Sequence, residues 1–283
     1  MKDYIELTKP NVTWLILMSA AVGYFFGHQG GWLLLPILHT VLGTALIASG
    51  TAALNQWYER EADAKMRRTA RRPLPTGRVT PGRALAFGSA LSALGFAELA
   101  IGLNLLTGLL GLFTLTSYLF LYTPLKQRTH LSTLVGAFPG AMPPMIGFAA
   151  ARGALTAEAW VLFAILFLWQ FPHFLAIAWM YREDYARAGI LMLPVVEPSG
   201  QSTARQIVLY SLALIPVSIA PSLLGMTGKL YLFGALGLGL LYLYYGLRVV
   251  FDRTILRARG VLLASVVYLP MIYGLMLLDR PAL

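Results

Sequence analysis

The sequence predicts an all-α polytopic membrane protein. Nine transmembrane helices, with the N-terminus cytoplasmic, would form a bundle around a central cavity open to the cytoplasmic side. The chain is 58% hydrophobic and 12% charged, and this charged fraction is about half that of soluble domains. Apolar runs long enough to cross a bilayer recur throughout the chain. These runs lack the alternation of polar and apolar residues that membrane strands need, so a β-barrel is not expected.

The apolar runs define the predicted helices in order. They cover residues 12–27, 32–54, 83–103, 105–121, 133–151, 157–180, 207–226, 229–247 and 260–278. We treat the chain, 1–283, as a single transmembrane domain. Long polar loops follow the second and the sixth helix, which predicts a four-helix pseudo-repeat, 10–130 and 131–247, with the helix at 260–278 added to it.

The distribution of positive charge tests this helix count. With the N-terminus inside, 19 of the 22 Lys and Arg residues lie in inner segments and three lie in outer ones. Inner loops of membrane proteins carry such an excess, so the distribution supports the topology. The net charge of +10 is then explained by the orientation of the protein in the membrane and by attraction to anionic lipid or phosphate. Nucleic-acid binding is not expected. The chain has no cysteine, which excludes disulfides, a thiolate nucleophile and a cysteine metal site.

The first candidate site lies where the second apolar run ends. Asn55, Glu59 and Asp63 follow each other at intervals of four residues, which places them along one face of a helix. Carboxylates beside a membrane helix are costly and therefore indicate a function. Oxygen-bearing side chains on one stripe suit Mg²⁺, which usually binds together with phosphate groups. The alternative is a basic juxtamembrane loop with incidental salt bridges.

Basic side chains follow this stripe at once. Lys65, Arg68 and Arg72 would neutralise the remaining charge of a metal-bound diphosphate. Arg68 and Arg72 are four residues apart, so on a helix that continues from the stripe they would share one face and bind one anion. Pro73 would end that helix.

A second basic motif, Tyr122-Thr-Pro-Leu-Lys126-Gln-Arg128, follows the fourth apolar run. Its cations are either determinants of topology or contacts for the same anion. The turn that Pro124 imposes favours the anion contact.

Two polar motifs lie inside predicted membrane helices. Adjacent prolines, Pro143 and Pro144, interrupt the fifth helix, which indicates either a kinked cavity wall or a packing kink. Trp169, Gln170 and His173 lie in the sixth helix, and polar groups at membrane depth indicate function unless they are satisfied by hydrogen bonds. His173 is a candidate for binding haem, through its iron or a propionate.

A second acidic motif follows the sixth helix. Asp184, with Glu183, supplies carboxylates on the same side of the membrane as the first stripe, and Tyr181 and Tyr185 flank them. We therefore expect Asp184 to complete a metal site with Asn55, Glu59 and Asp63. The alternative is an ordinary charged helix end.

Together these motifs resemble the UbiA-type intramembrane prenyltransferases, over residues 5 to 275. Within that superfamily they are similar to the branch that farnesylates haem b. The matching motifs are Met66-x-Arg68-Thr69-x-x-Arg72-Pro73, Tyr122-Thr-Pro-Leu-Lys126, Gly140-Ala-x-Pro-Pro-x-x-Gly147, Trp169-Gln-x-Pro-His173 and Asp184-Tyr-x-x-Ala-Gly189. The chain departs from the family pattern at Glu59, where the family more often has Asp, and at Leu191, where Pro is common.

The resemblance implies an enzyme whose substrates are haem b, farnesyl diphosphate and water, with Mg²⁺ as cofactor. It implies diphosphate binding by Lys65, Arg68, Arg72, Lys126 and Arg128, and acceptor binding by Trp169, Gln170, His173 and Tyr122. Haem A synthase or oxidase assembly proteins are expected as partners. The expected location is the inner membrane of a bacterial or archaeal cell.

Two other functions fit parts of the sequence. A quinone- or chlorophyll-type aromatic prenyltransferase would use the same diphosphate site with another acceptor, but His173 and the Asp184-Tyr185 pair argue against it. A membrane transporter or non-catalytic assembly factor would explain the broken helices. It has no need for two acidic motifs on one face.

Overall fold

The computed structural model describes residues 1–28 and 34–281, and those residues contain helices and no strand. The helices are α1 Lys2–Leu7, α2 Pro10–Gly27, α3 Leu34–Lys65, α4 Pro81–Gly102, α5 Leu105–Thr116, α6 Thr123–Leu125, α7 Ser132–Gly140, α8 Pro143–Arg152, α9 Ala157–Met180, α10 Arg182–Arg187, α11 Leu193–Val196, α12 Gln201–Leu223, α13 Lys229–Phe251 and α14 Ile255–Leu278. A π-helical stretch, Ser117–Tyr122, joins α5 to α6.

Nine helical segments in the described part of the chain are long and apolar enough to cross a membrane. They coincide with the nine that the sequence predicts, so the all-α membrane fold is confirmed and the chain is a multi-pass membrane protein. Residues 32 and 33, where the second predicted helix begins, lie outside the described residues. The cytoplasmic N-terminus, the side on which the cavity opens and the pseudo-repeat stay predictions.

The bundle exposes the apolar surface that a membrane requires. Large side chains such as Trp14, Phe120 and Phe233 are mostly exposed. In water such a surface would be a liability, but in a bilayer it contacts lipid. Packing between the helices must then rely on close fit, because lipid tails are as apolar as leucine.

Two glycines allow α2 and α8 to touch backbone to backbone. A Cβ atom at Gly147 would lie 1.8 Å from the carbonyl oxygen of Ala20, and one at Gly23 would lie 2.0 Å from that of Pro144. Any larger side chain would push the two helices apart. Both glycines therefore serve helix packing.

The same segment is broken, as its two prolines predict. α7 ends at Gly140 and α8 starts at Pro143, and the first seven residues of α8 are all buried. Gln170 of α9 donates a hydrogen bond of 2.8 Å to the carbonyl of Ala137, beside the break. The break therefore packs against neighbouring helices, which is one of the two roles that the sequence left open.

Candidate active site

The acidic stripe occupies the last three turns of α3. This helix has 32 residues and ends at Lys65, so Asn55, Glu59 and Asp63 share one face, as predicted. Asn55 and Asp63 are 2% and 1% exposed. A carboxylate buried to this degree needs a charged or hydrogen-bonding partner, and each member of the stripe has one.

Glu59 is held by a lysine from the neighbouring loop. The ammonium of Lys126 lies 2.7 Å from Glu59 Oε1, and the amide of Asn55 donates to Glu59 Oε2 at 2.9 Å. Burial alone would lower the pKa of Lys126, but the charge of Glu59 raises it well above its ordinary value. Lys126 is therefore a permanent cation, and it lies 4.4 Å from the centre of the Tyr122 ring.

A second lysine reaches the stripe from the N-terminal segment. Lys9 has a left-handed backbone, with φ of 49°, and its ammonium donates to Asn55 Oδ1 at 3.1 Å. Burial, and then the positive charge of Arg72, lower the pKa of Lys9 to about 7. The sequence analysis missed this residue. Its unfavourable backbone conformation, uncommon outside glycine and asparagine, indicates a constraint imposed by the site.

Arg72 pairs with the third member of the stripe. Its guanidinium lies 2.7 Å from Asp63 Oδ2, and Thr69 donates to the Asp63 carbonyl at 2.8 Å. The prediction that a helix continues to Pro73 was wrong, because α3 ends at Lys65 and turns follow. Arg68 and Arg72 therefore do not share a helical face, and their side chains make different contacts.

Arg68 belongs with the second acidic motif. Its backbone N–H donates to Asp184 at 3.4 Å, and its guanidinium donates to the Tyr185 hydroxyl at 3.3 Å. The guanidinium also lies 5.1 Å from the centre of the Tyr181 ring. Asp184 is buried and forms an ion pair with Arg187. The two acidic motifs thus lie at the same end of the bundle, joined by the chain between Asp63 and Arg68.

A cavity of about 480 Å³ opens beside this second motif. Its walls carry three arginines, two aromatic rings and two carboxylates. They are Arg67, Arg68, Arg182, Trp179, Tyr181, Glu183 and Asp184.

The described residues do not hold the predicted metal ligands together in a ready-made site. Among residues 1–28 and 34–281, no three His, Asp or Glu side chains lie close enough together to hold a metal. Glu59, Asp63 and Asp184 each hold a cation instead. The donors still suit Mg²⁺ by their chemistry, because amide and carboxylate oxygens are its usual ligands. The cations that hold them are groups that a diphosphate would attract.

Other predicted residues lie away from these contacts. Lys65 and Arg128 are exposed, and neither side chain forms a hydrogen bond or ion pair with any residue that the structure describes. Glu183 is exposed and lines the cavity. Roles for these three side chains in binding stay predictions.

The predicted acceptor residues of α9 contact α7 and α14. The indole of Trp169 is 5% exposed and donates to the carbonyl of Ser265 at 2.9 Å. Gln170 is committed to Ala137. Both side chains therefore hold the bundle together, because the indole N–H of Trp169 and the amide N–H of Gln170 each donate to a backbone carbonyl of another helix.

His173 differs from its two neighbours. Its Nδ1 lies 2.7 Å from the hydroxyl of Ser265, and that hydroxyl lies 2.6 Å from the Leu262 carbonyl. When the single hydroxyl proton of Ser265 is donated to the Leu262 carbonyl, His173 donates from Nδ1 to Ser265, and a lone pair is left on Nε2. Ser265 is a second residue that sequence reasoning missed, because it lies 92 positions from His173.

Comparisons with known proteins identify the family. The UbiA prenyltransferase family matches residues 16–268. A protoheme IX farnesyltransferase of Solibacter usitatus is 70% identical over the full length of both chains. The fold resembles a digeranylgeranylglyceryl phosphate synthase, with a TM-score of 0.82, 16% identity and coverage of 98% and 97%. It also resembles an Archaeoglobus fulgidus UbiA homologue bound to GPP and Mg²⁺, with a TM-score of 0.67, 20% identity and coverage of 97% and 99%.

The chain belongs to the UbiA prenyltransferase family. It is an enzyme of the prenyltransferase class, as the sequence predicts, and its full-length relatives are protoheme IX farnesyltransferases.

Proposed function

We propose that this enzyme transfers a farnesyl group from farnesyl diphosphate to a vinyl group of haem b. Water is added in the same reaction, and the products are haem O and diphosphate. The observation that carries the proposal is the buried cluster at the C-terminal end of α3. There, Lys9, Lys126 and Arg72 meet the two carboxylates Glu59 and Asp63. Lys126 and Arg72 balance the two carboxylates. Lys9, whose pKa is lowered to about 7, adds a positive charge when it is protonated, so the cluster attracts an anion.

Diphosphate would bind by exchanging partners with this cluster. Lys126 and Arg72 would turn from carboxylates to phosphate oxygens, with which they also form charge-assisted hydrogen bonds. The released oxygens of Asn55, Glu59 and Asp63, together with Asp184, would hold Mg²⁺. When bound, Mg²⁺ supplies Lewis-acid stabilisation of the leaving diphosphate.

Breaking the bond between C1 of the prenyl chain and the diphosphate oxygen leaves an allylic cation. Tyr122 and Tyr118 are suited to stabilise it, because their rings already lie 4.4 Å and 5.8 Å from the ammonium of Lys126. Two other aromatic residues are less suited to this role. Trp169 is buried in packing, and Tyr58 is 48% exposed.

The acceptor would approach from the apolar part of the bundle. The terminal carbon of the haem vinyl group bonds to C1, which moves the positive charge to the carbon beside the porphyrin ring. A water molecule adds there and loses a proton, which leaves the hydroxyl group. The lone pair on Nε2 makes His173 the candidate ligand of the haem iron. Such a ligand would fix the vinyl group relative to the diphosphate.

This product places the enzyme ahead of a reaction that oxidises haem O to haem A. Haem A synthase or oxidase assembly proteins are the partners that would receive it. The membrane would be the inner membrane of the cell.

The proposal is tested by mass spectrometry of haem extracted from membranes that contain the protein. We expect farnesylated, hydrated haem with the wild type and unmodified haem b with the Asp63→Asn variant. Haem that stays unmodified with the wild type, when farnesyl diphosphate and Mg²⁺ are supplied, would contradict the proposal.

A further inference from the structure

We propose that the cavity beside the junction of α9 and α10 binds the two propionate groups of the haem acceptor, with Arg67 and Arg182 as the carboxylate-binding side chains. The inference rests on the proposed function, because it assigns a binding site to the acceptor of that reaction.

The two arginines have no carboxylate partner among the described residues. No carboxylate in the described ranges lies within 4.0 Å of the guanidinium of Arg67 or Arg182, whereas the nearby Arg72 and Arg187 each pair with an aspartate. Both line the cavity of about 480 Å³. An arginine fork that faces a cavity without a carboxylate partner is suited to an anionic ligand.

The position of Arg182 is fixed by an aromatic platform. Its guanidinium lies 4.4 Å from the centre of the Trp179 ring. The Trp179 indole donates to the Arg253 carbonyl at 3.1 Å, and its ring packs so closely on Gly200 that a Cβ atom there would lie 2.3 Å away. Trp179 is therefore held in place and its ring supports Arg182, which reduces the entropy lost when Arg182 binds a ligand.

The charge of the cavity matches a dicarboxylate. Arg67, Arg68 and Arg182 contribute three positive charges and Glu183 one negative charge, while Asp184 is neutralised by Arg187 outside the lining. This excess of two positive charges would balance the two negative charges of the ionised propionates. The aromatic rings of Trp179 and Tyr181 in the same lining suit the edge of a flat macrocycle.

The cavity also lies in line with the candidate iron ligand. α9 ends at Met180, and Met180 lines the cavity. His173 lies seven residues earlier on the same helix, roughly 10 Å along its axis. A haem whose iron lies at His173 would point its anionic edge towards the end of α9 and keep its vinyl edge among apolar side chains.

The test is an absorbance titration of the purified protein in zwitterionic lipid nanodiscs. The ligands are haem b and its dimethyl ester, which keeps the iron and the vinyl groups and removes both propionate charges. The variants are Arg67→Gln, Arg182→Gln and the double variant. The control is Arg83→Gln, which changes an exposed arginine at the start of α4. Farnesyl diphosphate binding is measured in parallel, by calorimetry.

We expect the double variant to bind haem b roughly tenfold more weakly, and to bind the dimethyl ester and farnesyl diphosphate as the wild type does. The control variant should bind all three ligands normally. Equal weakening towards haem b and its ester would overturn the proposal and assign the arginines to lipid contact or folding. Weakening confined to farnesyl diphosphate would assign them to the phosphate site.

Binding does not require turnover, so the two proposals can fail separately. Propionate-dependent binding without any farnesylated product would contradict farnesyl transfer and leave the site in place. Normal production of haem O by wild type and double variant, with unchanged haem affinity, would contradict the propionate site alone.

Discussion

The replacement of Lys126 by methionine separates the two roles of this residue. In the free enzyme Lys126 neutralises Glu59, whose side chain is 13% exposed, across a contact of 2.7 Å. Removing one partner of such a buried pair costs about 3 kcal/mol, because the other charge stays buried without compensation. In the proposed complex the same ammonium binds diphosphate. The loss of that charge-assisted hydrogen bond costs a further 1.5–3 kcal/mol of binding free energy, or roughly 10- to 150-fold in affinity.

A second substitution distinguishes these effects. Glu59→Gln removes the uncompensated charge, so the Lys126→Met/Glu59→Gln double variant should regain most of the lost stability. It should not regain farnesyl diphosphate affinity, because the cation is still missing and Glu59, a proposed Mg²⁺ ligand, is replaced as well. Stability is followed by thermal unfolding in detergent and affinity by calorimetry without haem. Wild-type affinity in the stable double variant would show that Lys126 has only a structural role and would refute the exchange of partners.

Three other substitutions test separate parts of the site and the fold. Asp63→Ala should abolish haem O formation and leave the protein folded in the membrane; near-normal product in extracted haem would refute the assignment of Asp63 to the diphosphate site. His173→Ala should weaken haem b binding more than farnesyl diphosphate binding, and Ser265→Ala should alter the absorbance spectrum of bound haem through the loss of the Nδ1 acceptor; unchanged titrations and spectra would place the iron elsewhere. Gly147→Ala should lower thermal stability by about 1–3 kcal/mol, because its Cβ atom would lie 1.8 Å from the Ala20 carbonyl oxygen; normal unfolding would show that the two helices separate at little cost.

The transmembrane helices were predictable because each depends on a local property of the chain. Length, hydropathy and charge distribution locate all nine spans of the described residues. The stripe of Asn55, Glu59 and Asp63 was equally local, because a spacing of four residues fixes a helical face wherever the helix lies.

The partners of that stripe were not predictable in the same way. Lys9 meets Asn55 across 46 positions, and Lys126 meets Glu59 across 67. No periodicity links such pairs, because tertiary packing brings them together. A local signal at Lys9 was also absent, since its left-handed backbone is imposed by its surroundings.

The sequence motifs also predicted acceptor binding for two residues whose hydrogen bonds instead join helices of the bundle. Trp169 and Gln170 are polar groups at membrane depth, and such groups indicate a site unless the fold satisfies them. Here the carbonyls of Ser265 and Ala137 accept their hydrogen bonds. The neighbouring helices decide which of these polar groups find a hydrogen-bond partner. Nε2 of His173, left with its lone pair once Nδ1 is used, could be identified only from the structure.

The most direct test of the proposed reaction is to measure both products with the purified enzyme. Haem b, farnesyl diphosphate and Mg²⁺ are supplied together, and diphosphate release and haem mass are followed in the same sample. We predict one diphosphate released for each haem that gains a farnesyl and a hydroxyl group, with neither product formed by the Asp63→Asn variant. Diphosphate release without any change in haem, or no release at all, would contradict farnesyl transfer to haem b.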